Sequence, residues 1–245
     1  MRYFVEFAYK GTNYHGWQVQ PNAITVQEEI TKAFRLLLSV DVELVAAGRT
    51  DAGVHAQKMY AHFDFHQKIG ENKLVAKLNA FLPKDIAIHR ILQVNDEAHA
   101  RFDATRRKYA YYLHTKKNPF LNETSWYQHR TLDFDKMNQA AKILFEYQDF
   151  ECFSKAHTDV YTYFCQIYQA DWTQIADNQW MFTIEANRFL RNMVRAIVGT
   201  LINVGLNKIE PEKLHQIIQS KDRGKAGFSV PACGLHLVDV SYPYL

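Results

Sequence analysis

The sequence predicts an α+β fold, and two observations predict it. Segments with a period of two alternate with segments of helical period in the order β-α-β-β-α-β over the N-terminal half, and the C-terminal half repeats that order loosely. Two such units in tandem are the ferredoxin-like arrangement duplicated, with antiparallel sheets whose helix-free faces stay available for a ligand. The expected domains are residues 1–104 and 105–245, with a hinge at residues 99–105.

In the first half, Tyr3, Val5, Phe7 and Tyr9 alternate with Phe4, Glu6 and Ala8, which predicts a strand. Thr25-Val26-Gln27-Glu28 fits a capping box, in which the Thr25 hydroxyl accepts a backbone N–H and Glu28 reaches back. Val26, Ile30, Ala33, Phe34, Leu37 and Leu38 then follow helical spacing. Residues 42–47 and 60–65 read as strands. Residues 71–82 carry helical apolar spacing and stop at Pro83, which cannot continue a helix. Ile86, Ile88 and Ile91 mark the strand that closes this half.

In the second half, residues 108–115 read as a strand. Asp133 or Asp135 opens a helix bearing Met137, Ala140, Ala141, Leu144 and Phe145. Residues 164–174 and 180–186 predict a hairpin turning at Asp177-Asn178. A long helix is expected over 189–204, then a short one from Pro211 and a last strand over 235–242.

Composition narrows the class. Of the 245 residues, 47% are hydrophobic and 22% charged, as in ordinary globular proteins. Met1-Arg2 runs straight into a strand pattern, so no signal peptide is expected. The most apolar stretch carries Arg191 and Arg195, which argues against a membrane span. Cys152, Cys165 and Cys233 lie far apart without zinc spacing and read as free thiols of a cytoplasmic protein.

The segment Ala46-Ala47-Gly48-Arg49-Thr50-Asp51-Ala52-Gly53-Val54-His55-Ala56 stands out. Two glycines flank Asp51, and Arg49 precedes it by two residues. One reading is an aspartate that caps a turn through its own backbone amides. The other is a carboxylate held beside a guanidinium for chemistry. Spacing alone favours the first.

The net charge of +3 is modest, but the basic residues cluster. Arg101, Arg106, Arg107, Lys108, Lys116 and Lys117 interleave with Tyr109, Tyr111 and Tyr112, opposed in that stretch only by Asp103. Basic side chains mixed with aromatics suit nucleic acid, and the low net charge keeps a solvated strand and helix face as the other reading. On the expected long helix, Arg188, Arg191 and Arg195 share a stripe opposite Phe189, Met193, Ile197 and Leu201. That stripe is either a solvent face or a set of cations for a phosphate backbone or a carboxylate. There is no glycine-rich phosphate loop and no nucleophile elbow. His62 and His66 sit in an alternating strand and do not converge as helical neighbours would. An enzyme with this sequence is expected to work without metal or dinucleotide.

Five ordered segments resemble the tRNA pseudouridine synthase A family from end to end. They are Gly11-Thr12-Asn13-Tyr14-His15-Gly16-Trp17-Gln18, the stretch Gly48 to His55, Ala100-Arg101-Phe102-Asp103-Ala104-Thr105-Arg106-Arg107-Lys108-Tyr109, the stretch Phe189 to Gly199, and Gly234-Leu235 with Leu237, Val238 and Tyr242. Together they overturn the turn-capping preference for Asp51.

The resemblance implies an isomerase that converts uridine to pseudouridine in the tRNA anticodon stem-loop, positions 38–40, on a central basic RNA-binding cleft. It implies Asp51 as nucleophile and Arg195 as the ion-pair partner that favours its charged form. Tyr109 matches an aromatic against the base, Leu235 an aliphatic residue of the same pocket, and Arg49 an arginine that flips the nucleotide and holds RNA. It implies tRNA as partner, a homodimer, and no cofactor, metal or membrane. One departure is Lys10, where the family usually has Asp. Two other readings stay open: the same reaction on another RNA, and a non-catalytic tRNA-binding chaperone.

Overall fold

The computed structural model describes residues 1–155 and 161–245. The chain forms two compact units, Met1–Thr105 with Leu237–Leu245, and Arg106–His236. Both mix helices with antiparallel sheet.

In the first unit, β1 (Arg2–Tyr9) pairs antiparallel with β3 (His55–Asp64) on one side and β4 (Ile86–Val94) on the other. The short β2 (Val45–Ala46) pairs with β3, and β9 (Leu235–Ser241), which enters this unit at Leu237, also lies beside β3. The period-two pattern of β1 has its expected meaning. Tyr3 stacks on Phe63, which meets Phe34 of α1 (Val26–Leu38) at 4.9 Å, so this face carries the helices. Thr25 caps α1 by accepting the Glu28 N–H at 3.4 Å. Glu28 forms an ion pair with Lys32 at 2.9 Å, so its carboxylate serves the next turn and the expected box is half built. The helix α2 (Glu71–Phe81) ends before Pro83, and the Asn79 carboxamide donates through Nδ2 to the Ile88 carbonyl and accepts the Ile88 N–H at Oδ1, both at 2.7 Å.

The opposite face of this sheet was expected to be free, and it is largely covered. Phe4 is fully buried against Tyr242 at 5.2 Å, and Tyr60 packs edge-on against the same ring. Glu6 accepts from Tyr60 and from Arg90, and Lys58 pairs with Asp239 at 2.7 Å. Chain-terminal aromatics and paired charges close the surface.

The segment expected to hinge, residues 99–105, ends at Thr105, where the chain passes from the first unit to the second, and within the first unit it forms a fastened turn. Asp103 accepts the His99 N–H at 2.7 Å and the Tyr244 hydroxyl at 2.8 Å, and Thr105 donates to the Ser241 carbonyl at 2.9 Å. His62 Nδ1 accepts the Ala100 N–H at 3.1 Å, a bond that requires an unprotonated nitrogen. Burial, then the charges of Arg2 and His99, pushes the His62 imidazole down to about 4, against the smaller opposing pull of Asp64 and Asp103. His99 is lowered too, chiefly by burial.

A free histidine titrates near pH 6.5, so below that value the unfolded chain binds protons the folded chain refuses. Stability should therefore be complete above about pH 6.5 and decline as the pH falls toward about 4. Asp64 and Asp103, held low by Arg2 and by the His99 N–H, add losses only below about pH 4. Denaturant titrations between about pH 7 and pH 5 should show wild type losing more stability than His62→Asn, whose carboxamide oxygen replaces Nδ1 as acceptor. Equal losses would contradict this assignment.

In the second unit, β5 (Arg106–His114) pairs antiparallel with β8 (Gln179–Ala186), and β8 with β7 (Ile167–Ala176). The turn between β7 and β8 places Asn178 at φ 59, a conformation Asn tolerates. The two-residue β6 (Trp126–Tyr127) runs parallel to the end of β5. Asp133 caps α3 (Phe134–Ile143) by accepting the Lys136 N–H at 2.9 Å, and α3 packs on β7 and on α4 (Met193–Gly205). The short α5 (Lys213–Gln219) follows the turn at Pro211.

The helix expected from residue 189 begins at Met193. Two local features stop it starting earlier. The Asn187 side-chain oxygen accepts the Gln166 and Arg188 N–H groups, both at 2.8 Å, and Asn192 sits at φ 67. A side chain that bonds nearby backbone amides competes with the helix for them. Arg188 and Arg191 thus precede the helix and do not share a stripe with Arg195.

Candidate active site

The aspartate loop joins β2 to β3 and is built from backbone on both sides of Asp51. The Asp51 carbonyl accepts the Val54 N–H at 3.2 Å, and Gly53 takes φ 78, the conformation such a turn demands. The Gly11-to-Gln18 segment, whose first three residues form a 3₁₀ turn, cradles the loop. Trp17 donates to the Thr50 carbonyl at 3.3 Å, and Gly53 donates to the Tyr14 carbonyl at 3.2 Å. The Gly11 N–H reaches His55 Nδ1 at 2.9 Å, and the Tyr9 hydroxyl meets the Thr50 hydroxyl at 2.8 Å. Each of these bonds fixes a neighbour of Asp51 rather than its carboxylate. Asp51 itself is half-buried and Arg49 exposed.

The glycines divide by cause. A Cβ on Gly11 would lie 2.0 Å from the Val54 carbonyl oxygen, so the cradle and the loop touch through backbone. Gly16 combines φ 89 with a would-be Cβ 2.4 Å from the Thr50 oxygen. Gly48 has open space, so close protein backbone does not explain it. Gly16→Ala should cost roughly 2–4 kcal/mol, from the left-handed conformation and from displacement of Thr50. Urea unfolding checks this, and a loss under about 0.5 kcal/mol, the scale of an ordinary surface change, would contradict it.

The second unit holds Tyr109, Arg195 and Leu235. Tyr109 lies on β5 opposite Ile184, half-buried, with its ring edge-on to Phe189 at 5.2 Å. Arg195 is in the first turn of α4. Its Nε donates to the Val230 carbonyl at 2.7 Å, and the Val230 N–H returns a bond to the Arg195 carbonyl at 3.3 Å. The Tyr111 hydroxyl donates to the Pro231 carbonyl at 2.9 Å, and Gly234 has no room for a Cβ, which would sit 2.6 Å from the Tyr111 ring. The stretch 230–235 therefore ties Arg195 to β5 and delivers Leu235, which is 6% exposed, at the head of β9.

Arg49 and Asp51 thus share one loop of the first unit, while Tyr109, Arg195 and Leu235 belong to the second. The basic stretch on β5 is more compensated than its sequence suggests. Arg106 and Lys108 both pair with Glu185 of β8 at 2.9 Å, and Arg107 donates to the Asn187 carbonyl at 2.8 Å. Cross-strand pairing brings Glu185 opposite Lys108, a partner that no reading of residues 101–117 alone would find. Tyr111 is fully buried and is a core residue rather than a stacking surface. Among the described residues, no group of three or more His, Cys, Asp or Glu side chains is placed to hold a metal ion, and no helix is long and apolar enough to cross a membrane.

A profile of the tRNA pseudouridine synthase family matches residues 7–103 and 140–243. The chain is 55% identical over 243 residues to a tRNA pseudouridine synthase A from Parabacteroides distasonis, covering 99% of this chain and 96% of that protein. A protein of the same name from Bacteroides fragilis is 52% identical over the same shares. One from Bacillus subtilis is 39% identical over 246 residues, 99% of each. The chain belongs to the tRNA pseudouridine synthase family.

Proposed function

We propose that this protein isomerises uridine to pseudouridine in the anticodon stem-loop of tRNA, at positions 38–40. The observation that carries the reading is family membership over the whole length, including the aspartate loop and its cradle. In the reaction the N1–C1′ bond breaks, the uracil turns, and C5 bonds to C1′. The proton at C5 leaves to water and N1 ends protonated. No redox change occurs, so the balance requires no co-reactant.

Asp51 is the nucleophile in this proposal. Its loop is held by main-chain bonds, which fix the backbone that carries the carboxylate, as preorganised chemistry requires. Arg195 is the ion-pair partner in this proposal, and the bond from its Nε to the Val230 carbonyl anchors one edge of its guanidinium. Tyr109 stacks on the uracil, Leu235 lines the apolar side of the base, and Arg49 draws the nucleotide out through a phosphate contact. Residues 1–104 carry the aspartate and residues 105–245 the tyrosine and arginine. Each half is proposed as a ferredoxin-like unit, which the placing of β1 between β4 and β3 and of β8 between β5 and β7 supports. The working form is a cytoplasmic homodimer.

Position is testable directly. Pseudouridine keeps an alkali-stable carbodiimide adduct that halts reverse transcription, so an unmodified tRNA transcript treated with the protein should give stops one nucleotide to the 3′ side of positions 38–40. Stops elsewhere would reassign the target, and none would remove the proposed activity.

A further inference from the structure

We infer that Phe102, with Arg101 beside it, is a stacking point for an unpaired tRNA base other than the reacting uridine. The inference rests on the proposed tRNA activity and assigns a role to residues 101–102 of the Ala100-to-Tyr109 segment, of which the chemistry uses only Tyr109. Phe102 is 74% exposed, at the tip of the turn over residues 99–105. An exposed phenylalanine on a loose loop would mean little, and this loop is not loose.

His99 Nδ1 accepts the N–H groups of Arg101 and Phe102 themselves, at 3.1 and 3.2 Å. Ala100 is held at both ends, by His62 through its N–H and by the Tyr242 hydroxyl through its carbonyl. Asp103 closes the turn onto His99 and Tyr244. The backbone beneath the ring is therefore fixed by side chains of β3 and of the chain terminus. The His99 ring, 4.2 Å away and tilted by 31°, backs the phenyl group. The Arg101 guanidinium lies 5.8 Å from the ring centroid.

A rigid, exposed aromatic ring with a guanidinium within cation–π distance matches what single-stranded RNA offers, a base with a π-face beside a phosphate. A protein interface would instead call for a contiguous apolar patch, and here the neighbouring positions are Arg101, Asp103 and Thr105. Fastening the ring in advance reduces the ordering cost of binding.

The test uses the full-length protein and an unmodified tRNA transcript labelled with tritium at uracil C5. Phe102→Ala should raise the Kd for tRNA and the KM for tritium release roughly tenfold, with kcat within about twofold. Phe102→Trp should stay near wild type, and Phe102→Leu should behave like alanine, because only a π-face stacks. A Kd within twofold for Phe102→Ala, or full rescue by leucine, would overturn the inference, as would a change of oligomeric state with tRNA binding unchanged. The inference and the activity fail separately. Tritium release by wild type with an indifferent Phe102→Ala sinks only the stacking role, whereas Phe102-dependent binding without any release sinks only the activity.

Discussion

Asp51→Ala should lower single-turnover pseudouridine formation by about 10⁴-fold or more, while the Kd for tRNA changes no more than a few-fold. Removing a nucleophile eliminates the covalent path, and losses of that order follow when such a group is deleted from an intact site. Affinity should survive because the loop is built from main chain. The Val54-to-Asp51, Trp17-to-Thr50 and Gly53-to-Tyr14 bonds all remain when the side chain is cut to a methyl group. Asp51→Asn sharpens the result. It keeps size and polarity, cannot attack, and should be as inactive as alanine. Residual turnover near wild type in either variant would remove Asp51 from the chemistry.

If Arg195 is the partner proposed for Asp51, Arg195→Leu should lower kcat by roughly 100-fold or more, the scale of about 3 kcal/mol for removing one member of a partly desolvated ion pair. It should also lower the melting temperature, since the Val230 carbonyl loses its Nε donor. Arg195→Lys separates the two effects. It restores a positive charge, but one ammonium cannot both replace Nε at Val230 and reach out as a fork does, so a partial loss of about tenfold is expected. Activity must be read on the folded fraction, with the far-ultraviolet spectrum as control. Wild-type kcat in the leucine variant would remove Arg195 as the proposed partner of Asp51.

The sequence was legible where periodicity had a physical cause. Alternation in β1 and helical spacing in α1, α2 and α3 each reflect one buried face, and the caps at Thr25 and Asp133 are side-chain features that a sequence displays. The start of α4 was not legible, because residues 189–192 have helical apolar spacing while Asn187 and Asn192 commit the backbone elsewhere. The covered face of the first sheet was missed for a similar reason. Its cover, Tyr242 and Tyr244, lies more than two hundred residues from Phe4.

At the candidate site the order of residues around Asp51 was visible, but its support was not. The cradle at Gly11 to Gln18 acts through carbonyls and N–H groups that every residue possesses, and only its glycines betray the close approach. Glu185 gave a weak signal, a lone acid within the apolar run Trp180 to Ala186, and its meaning depended on the strand register. The fastening of the turn at residues 99–105 was not legible, because its partners Tyr242 and Tyr244 lie far along the chain.

One measurement bears on the central claim most directly. Transcripts carrying C5-tritiated uridine only in the anticodon stem-loop should be incubated with the purified protein, and tritium appearing in water counted. Forming the C5–C1′ bond expels that hydrogen, so the account predicts release stoichiometric with the uridines at positions 38–40, absent with Asp51→Ala. Tight binding of the same transcript by wild type without release would contradict it.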